Sequence, residues 1–498
     1  MTDPSWSRDV SALDYLMYRA DTDSRTRSTM MSIELLESTP DWERLRADMD
    51  RASRMVPRLR QRVVAPLLPL GPAQWVFDSG FDLDYHLRRV RLPQPGGRRE
   101  LLEVAQNVHN APLDLSRPLW EATLVEGLDA DGATSALLWK LSHAITDGVG
   151  GVEMDRCIRA YQPEPGAPAP APLEESGTSA AELTRHHLVR LPLNLVRTAA
   201  RGADVLSGMT SRVARHPVSS LRDAGQLVTS LQQMAGPPPA PPSPLLRPRS
   251  LNRRITIAEV PLTGLKAAAK LHGHSINDAY LAALCGALRH YHVAMDCAVP
   301  ALPLTLPVNI RTDSSAGGNR WGALRIAAPI AQPDPLRRMG IIAEQVQSGR
   351  SQPAIAALST LSPFLTAIPM SLVSALMTAG AACDIQASNV RGHVQDTYIG
   401  GVRVLAMYPI GPLPVAAIMS VLLSHAGRLY LGVNYDTAAV TDGGLLDRSL
   451  AAGFAEVIQC SQVRLPPRRR RELPPRGRRP ELIVAGAKPG VDADAPES

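Results

Sequence analysis

Ala136-Leu-Leu-Trp-Lys-Leu-Ser-His-Ala-Ile-Thr-Asp-Gly-Val-Gly-Gly151 is the stretch on which the fold of this chain turns. An apolar run ends in Ser142-His143, Asp147-Gly148 follows, and a helical pattern continues from Val149 to Tyr161. That order predicts a strand-to-helix turn carrying an imidazole. Such a turn aims a side chain into a cleft. An imidazole titrates near neutrality, so it takes a proton from a hydroxyl and hands it to a leaving group. His143 is therefore the candidate general base, against the plainer reading of a hydrogen-bonded histidine at a strand end. Gly148 has no Cβ, which lets the backbone bend tightly or a substrate come close. Asp147 need not touch the base; a carboxylate turned back into the fold pairs with an arginine and fixes the turn.

Working outward, the proline turn within Leu115–Val125 feeds a strand, and a hairpin is expected at Asp129-Ala-Asp-Gly132, closing it onto the strand that carries His143. Upstream, a strand is expected over Met30–Leu36. Pro40-Asp41 then starts a helix in which Trp42, Leu45, Met49, Ala52 and Val56 share one face. Another helix is expected from Arg99 to Asn110. Downstream, residues 161–173 are rich in proline and unsuited to packing. A basic, leucine-rich stretch follows from Leu183 to Met234, containing His186-His187, which reads as surface because no carboxylate or cysteine lies at ligand spacing. It suits either an anionic lipid surface or a solvated bridge between domains.

The second half opens with a strand at Arg254–Val260 and a helix at Leu262–Leu271. A second apolar helix begins near Asn277-Asp278, either of which is a natural N-cap. A helix start facing a cleft also offers N–H groups and an amide to a developing oxyanion, a role Asn277 could fill. A strand over Leu302–Ile310 ends in Pro307-Val-Asn-Ile-Arg311, and Arg311 is the candidate partner of Asp147, with Arg320 and Arg325 as competitors. A strand is expected at Leu324–Pro329. No charge occurs between Arg350 and Asp384, but Pro353, Pro363 and Pro369 break the run, which favours buried helices or a shallow hairpin over a membrane span. Strands at Val415–Leu423 and Leu429–Tyr435 form a hairpin, and a last helix runs from Asp442 to Gln459. The tail from Pro466 is rich in arginine and proline and cannot form a core.

At 498 residues the chain exceeds what one core usually serves. The expected division is 1–160, a linker at 161–250, a second domain at 251–465 and a tail at 466–498. Five cysteines without Cys-x-x-Cys spacing suggest neither disulfides nor zinc, and no other metal set is legible. The first residues lack the basic start and apolar core of a signal peptide. Much of the net charge of +6 lies in the tail, and aromatics are not interleaved with basic residues, so nucleic acid is not an expected partner.

The ordered series Leu13-Asp14, Pro118-Leu119-Trp120, Ser142-His143-x-x-x-Asp147-Gly148, Asn277-Asp278, Pro307-Val-Asn-Ile-Arg311, Gly318-Asn319-x-x-Gly322 and Ser388-Asn389-Val390-Arg391-Gly392-His393 resembles the bacterial wax ester synthase/acyl-CoA:diacylglycerol acyltransferases. The family signature is His-His-x-x-x-Asp-Gly, so Ser142 replaces its first histidine. The family's Ser-Asn-Val-Pro-Gly-Pro has lost both prolines here, to Arg391 and His393.

The resemblance implies an α/β fold of two chloramphenicol acetyltransferase-like domains, each a mixed β-sheet flanked by helices, with an active-site tunnel at their interface. It implies an O-acyltransferase that moves a long-chain acyl group from acyl-CoA to diacylglycerol, making triacylglycerol, or to a long-chain alcohol, making wax ester. His143 is then the base, with Asp147 and Gly148 in its motif and Ser142, Asn277, Asp278 and Arg311 in support. Acyl-CoA is a co-substrate and no cofactor is expected. The implied location is cytoplasmic, peripheral at the inner face of the plasma membrane or at a lipid-droplet surface. The competing class is a re-purposed or non-catalytic member: a lipid-binding module, or a condensation-type acyltransferase with a carrier-bound donor. No Gly-x-Ser-x-Gly elbow is present, which argues against a serine hydrolase route.

Overall fold

The computed structural model describes residues 7–68, 71–146, 148–164, 178–189, 238–309, 321–350, 366, 369–372 and 383–461. Asp147, Arg311, Gly318-Asn319 and the tail fall outside them, as do most of the basic segment and of the uncharged stretch.

The first half begins with α1 (Ala12–Ala20), β1 (Thr29–Leu36) and α2 (Trp42–Met55). Asp41 caps α2 by accepting from the Arg44 N–H, and Leu45, Met49, Ala52 and Val56 are buried, the face expected from their spacing. The hairpin β2 (Gln61–Val64) and β3 (Gln74–Phe77) follows, then α3 (Leu83–His86), β4 (Leu87–Arg91) and α4 (Arg98–Asn110). β5 (Trp120–Ala130) and β6 (Ala133–Ser142) form the expected hairpin. Its turn uses Asp131 and Gly132 with φ of 57° and 75°, the left-handed pair that matches strand twist. α5 (Gly148–Ile158) then leads to the linker, within which residues 180–189 form α6.

The second half contains β7 (Arg253–Val260), α7 (Leu262–Leu271), α8 (Ile276–Ala294), β8 (Leu302–Asn309), β9 (Trp321–Ala328) and α9 (Pro335–Arg350). After it come β10 (Ile385–Arg391), β11 (Tyr398–Ile399), β12 (Val402–Ile410), β13 (Ile418–His425), β14 (Arg428–Asp436) and α10 (Gly443–Gln459).

Two six-stranded mixed sheets organise these elements, in the orders β11-β12-β1-β6-β5-β4 and β7-β14-β13-β10-β8-β9. The second half thus sends β11 and β12 into the first sheet, across the boundary that the sequence suggests. β12 runs antiparallel to β1 from Met31↔Ile410 to Leu36↔Val404. β12 also crosses β14 closely: a Cβ on Gly432 would lie 1.8 Å from the Pro409 carbonyl oxygen, so only glycine fits. Tyr430 donates to the Leu405 carbonyl at 2.9 Å beside that crossing. A shared apolar cluster closes the joint, with Ile33, Leu35, Leu138, Ala406 and Tyr408 on the first sheet and Ile255, Ile257 and Tyr430 on the second.

Two local expectations are corrected. α8 is capped by Ser275, whose hydroxyl accepts from the Asp278 N–H while Asp278 returns a bond to the Ser275 N–H. A reciprocal capping box beats either single cap at Asn277 or Asp278, because it satisfies two orphan donors. His187 is not surface: it is buried against the β2–β3 loop, with Nε2 3.3 Å from the Pro72 carbonyl, while His186 is exposed.

Candidate active site

The turn after β6 is built by backbone pairing before any side chain acts. β1 and β6 pair antiparallel as far as Thr29↔Ser142. The Ser142 N–H then donates to the Leu119 carbonyl at 3.0 Å, and the His143 N–H donates to the Ser28 carbonyl at 3.2 Å. The chain folds over through the Ile145 N–H, which donates to the Ser142 carbonyl at 3.1 Å. Ala144, Ile145 and Thr146 are buried. Ala144 and Ile145 join Trp120, Trp139, Leu141, Met154 and Ile158 in one core, so the turn shares its packing with the second half of α5. His143 is the half-buried residue in this enclosed segment.

Ser142 is fully buried and belongs to a polar lock beside His143. Its hydroxyl donates to Asp21 Oδ2 and accepts from the Ala144 N–H at 3.1 Å. Asp21, at the C-terminal end of α1, also accepts from the Ser28 N–H at 2.7 Å and the Ser28 hydroxyl at 2.9 Å. One carboxylate therefore ties α1, the start of β1 and the end of β6. Burial pushes the Asp21 carboxyl above its ordinary value, against the hydrogen bonds from Ser142 and Ser28. Enclosed in this way, Ser142 cannot meet a substrate carbon and does not serve as a nucleophile.

The Pro118-Leu119-Trp120 triplet supports the turn from below. The Trp120 indole donates to the Leu59 carbonyl at 2.8 Å and stacks on Trp139 at 5.1 Å and on His86 at 4.7 Å. Gly148 is the first residue of α5, five positions after His143. Asp147 and its candidate partner Arg311 lie outside the described residues, and no side-chain geometry is attached to them. Asn277 sits half-buried on the first turn of α8 and makes no side-chain hydrogen bond among the described residues. Asp278 is committed to the capping box.

Sequence reasoning missed a second polar cluster, at the other end of α5. Glu34 of β1 is fully buried and accepts from Arg159 at 2.5 Å and from the Ser32 hydroxyl at 2.6 Å. Arg159 also pairs with Asp155 at 2.7 Å, one helical turn earlier. Asp155 meets His393 Nε2 at 2.7 Å, and His393 Nδ1 lies 3.1 Å from the Tyr161 hydroxyl. Burial pushes the Glu34 carboxyl up despite Arg159. Burial would also raise Asp155, but Arg159 and His393 outweigh it and hold its carboxyl at about 2. The loop after β10 owes its path to Gly392, where a Cβ would come within 2.3 Å of the Ser424 carbonyl oxygen. The absence of the family's prolines at 391 and 393 was the one sequence signal pointing here.

Among the described residues no group of three or more histidine, cysteine or carboxylate side chains could hold a metal ion, and no helix is long and apolar enough to cross a membrane. All five cysteines are free thiols.

Comparison with known proteins agrees with this arrangement. The profile of the wax ester synthase/diacylglycerol acyltransferase catalytic domain matches residues 7–280, and that of the corresponding C-terminal domain matches residues 317–457. A Mycobacterium tuberculosis protein provisionally named a diacylglycerol O-acyltransferase is 42% identical over 462 residues, covering 91% of this chain and 92% of its own length. A second M. tuberculosis protein with the same provisional name is 28% identical, with 92% of each chain covered. Among solved structures, the wax ester synthase/diacylglycerol acyltransferase of Marinobacter aquaeolei VT8 superposes with a TM-score of 0.60 at 21% identity, covering 91% of this chain and all of the other. The first condensation domain of the CDA synthetase superposes with a TM-score of 0.56 at 15% identity, covering 92% of this chain and 97% of the other. At those identities the two structures speak for the fold: paired mixed sheets flanked by helices.

Proposed function

The chain belongs to the wax ester synthase/diacylglycerol acyltransferase family, and on that premise we propose that His143 is the general base of an O-acyl transfer from acyl-CoA to diacylglycerol or a long-chain alcohol. It is an acyltransferase; donor, acceptor and the role of each residue are the reading offered here. The observation that carries the reading is the placement of His143: half-buried, in a turn whose other residues are packed or hydrogen-bonded in place. A base held this way loses little orientation in reaching a reactive geometry.

In the proposed reaction the acceptor hydroxyl gives its proton to His143 as its oxygen attacks the thioester carbonyl carbon. The tetrahedral oxyanion collapses, the C–S bond breaks, and the imidazolium returns the proton to the departing thiolate. The proton balance closes on substrates and one imidazole, so no acyl-enzyme and no cofactor enter. Gly148 lets α5 start close to the reacting atoms, and Asp147 with Arg311 is proposed to hold the turn. The Asn277 amide, uncommitted on the first turn of α8, is the proposed oxyanion donor; Asn277→Ala should lower turnover about 10-fold or more while the protein stays folded. Because the acceptors dissolve in lipid, we place the enzyme at the inner face of the plasma membrane or a lipid-droplet surface, held peripherally.

The test is thiol release from palmitoyl-CoA with diolein, with hexadecanol, and with no acceptor, for wild type and His143→Ala. Release that needs an acceptor and vanishes in the variant supports the reading. Equal release from both proteins defeats it, and acceptor-dependent release from a carrier-bound thioester alone would move the chain to the condensation-type class.

A further inference from the structure

The cluster at the far end of α5 is not explained by the chemistry proposed for His143, yet it sits on the same helix. α5 is eleven residues long and follows the turn that carries the base. Beyond its last residue, the Ala160 and Tyr398 backbones exchange two hydrogen bonds, at 3.1 and 2.8 Å, which fasten the chain to β11. Side chains fasten it twice more. Arg159 reaches Glu34 in the middle of β1, and Asp155 reaches His393 in the loop that leaves β10 of the second sheet. From Ser32 through Glu34, Arg159, Asp155 and His393 to Tyr161, a continuous series of polar contacts crosses from the first sheet to the second.

His393 is the member that belongs to the second half. It is 4% exposed and both its ring nitrogens are engaged. The charged and titratable groups around it are Asp155, Arg159 and Glu34 from the α5 and β1 side, Tyr161 after α5, and His425 from β13, whose ring meets it edge-on at 6.2 Å. The Ala426 N–H donates to the His393 carbonyl at 3.0 Å, so the loop is also tied to the β13–β14 turn. In the family pattern that this stretch resembles, a proline stands where His393 does, and a proline stiffens a loop through its ring. Here stiffness comes from a buried, hydrogen-bonded pair.

We propose that His393 is a positioning residue. Through Asp155 and Tyr161 it fixes α5, and with it the turn bearing His143, against the second sheet, and so sets the alignment of the base with a thioester and a hydroxyl held between the halves. This rests on the acyl-transfer reading above. Packing alone does not require a hydrogen-bonding ring at this place; a proline or an aliphatic side chain would fill it. What the pair adds is direction, because Asp155 accepts along a defined line while tethered by Arg159.

The experiment measures kcat and KM for palmitoyl-CoA and for hexadecanol in wild type, His393→Ala, His393→Gln, Asp155→Asn and the double variant His393→Ala/Asp155→Asn, with thermal unfolding of each. Loss of alignment should lower kcat of His393→Ala 10-fold or more while both KM values stay within about threefold. His393→Gln, which keeps a donor toward Asp155, should recover most of that loss. The double variant should be little worse than Asp155→Asn alone, because that change already weakens the contact that His393 makes. Tyr161→Phe, which removes one hydrogen bond at a residue 43% exposed, folds without difficulty and should lower kcat two- to fivefold. A folded His393→Ala with kcat within twofold of wild type overturns the proposal, as does a double variant whose losses multiply. Should His393→Ala fail to fold, unchanged kcat in Tyr161→Phe and in folded His393→Gln/Asp155→Asn overturns it. Wild type without acceptor-dependent thiol release would instead refute the acyl-transfer reading.

Discussion

Two histidines follow strands in corresponding places of the two halves: His143 after β6 and His393 after β10. Each stands beside a small or polar residue, Ser142 and Gly392, and a carboxylate-centred lock lies at each place, Asp21 in one case and Asp155 in the other. They differ in what the lock holds. At β6 the lock grips the neighbour, Ser142, and leaves the imidazole half-buried. At β10 the lock grips the imidazole itself and encloses it. The difference is the one expected if His143 is the proposed base and His393 the proposed positioning residue, and the residue type alone does not reveal it.

The largest expected effect tests the first member of the pair. His143→Ala should reduce acceptor-dependent thiol release by about 10^3-fold, within the range for loss of a general base, with an unfolding midpoint close to wild type. A comparable rate in the variant would erase the contrast. Next comes the lock. Asp21→Ala leaves the Ser142 and Ser28 donors buried without an acceptor, which costs about 1–3 kcal/mol in urea unfolding and should lower turnover roughly 10-fold as the turn loosens. The sign of its pH dependence follows from the raised carboxyl. The fold favours the neutral acid, so Asp21 stabilises at low pH and that contribution fades as pH rises above the ordinary aspartate value of 3.8. Asp21→Asn should therefore cost more stability at pH 4 than at pH 7, and the reverse order would contradict the burial argument.

His425, beside His393, sharpens the second member. Burial, then Arg159 and His393, push its imidazole down to about 4, so it is neutral in the fold. A depressed histidine contributes stability above its unfolded value near 6.5, and loses it as pH falls toward 4. Between pH 7 and pH 5 that loss is roughly 2 kcal/mol, and His425→Gln should flatten this part of the unfolding curve. An unchanged slope would show that burial does not hold the His425 ring neutral. The smallest effect is expected from Ser142→Ala, which removes one hydrogen bond to Asp21 and one to the Ala144 N–H. Turnover should fall less than fivefold, with about 1 kcal/mol of stability lost. A drop to the level of His143→Ala would give Ser142 a chemical part and break the comparison from the other side.

Much of the first half was legible in the sequence because its elements are set by near neighbours. The apolar face of α2, the Asp131-Gly132 turn and the strand that ends at His143 depend on residues a few positions apart. The same holds for α7, α10 and the β13–β14 hairpin. What escaped depends on partners far along the chain. β12 joins β1 across more than 360 residues, and Asp21 meets Ser142 across 121. Asp155 meets His393 across 238. The burial of His187 is of this kind too, since it depends on a loop more than a hundred residues earlier.

The sequence by itself determined the repeating elements and the strand-to-helix turn that carries His143, because hydrophobic period, turn residues and motif spacing are local and additive. Tertiary structure alone decided which carboxylate guards which side chain, that the second half completes the first sheet, and that His393 meets Asp155 of α5. Those outcomes rest on burial: a charge removed from water must find its partner wherever the fold brings one, and no local pattern records that partner in advance.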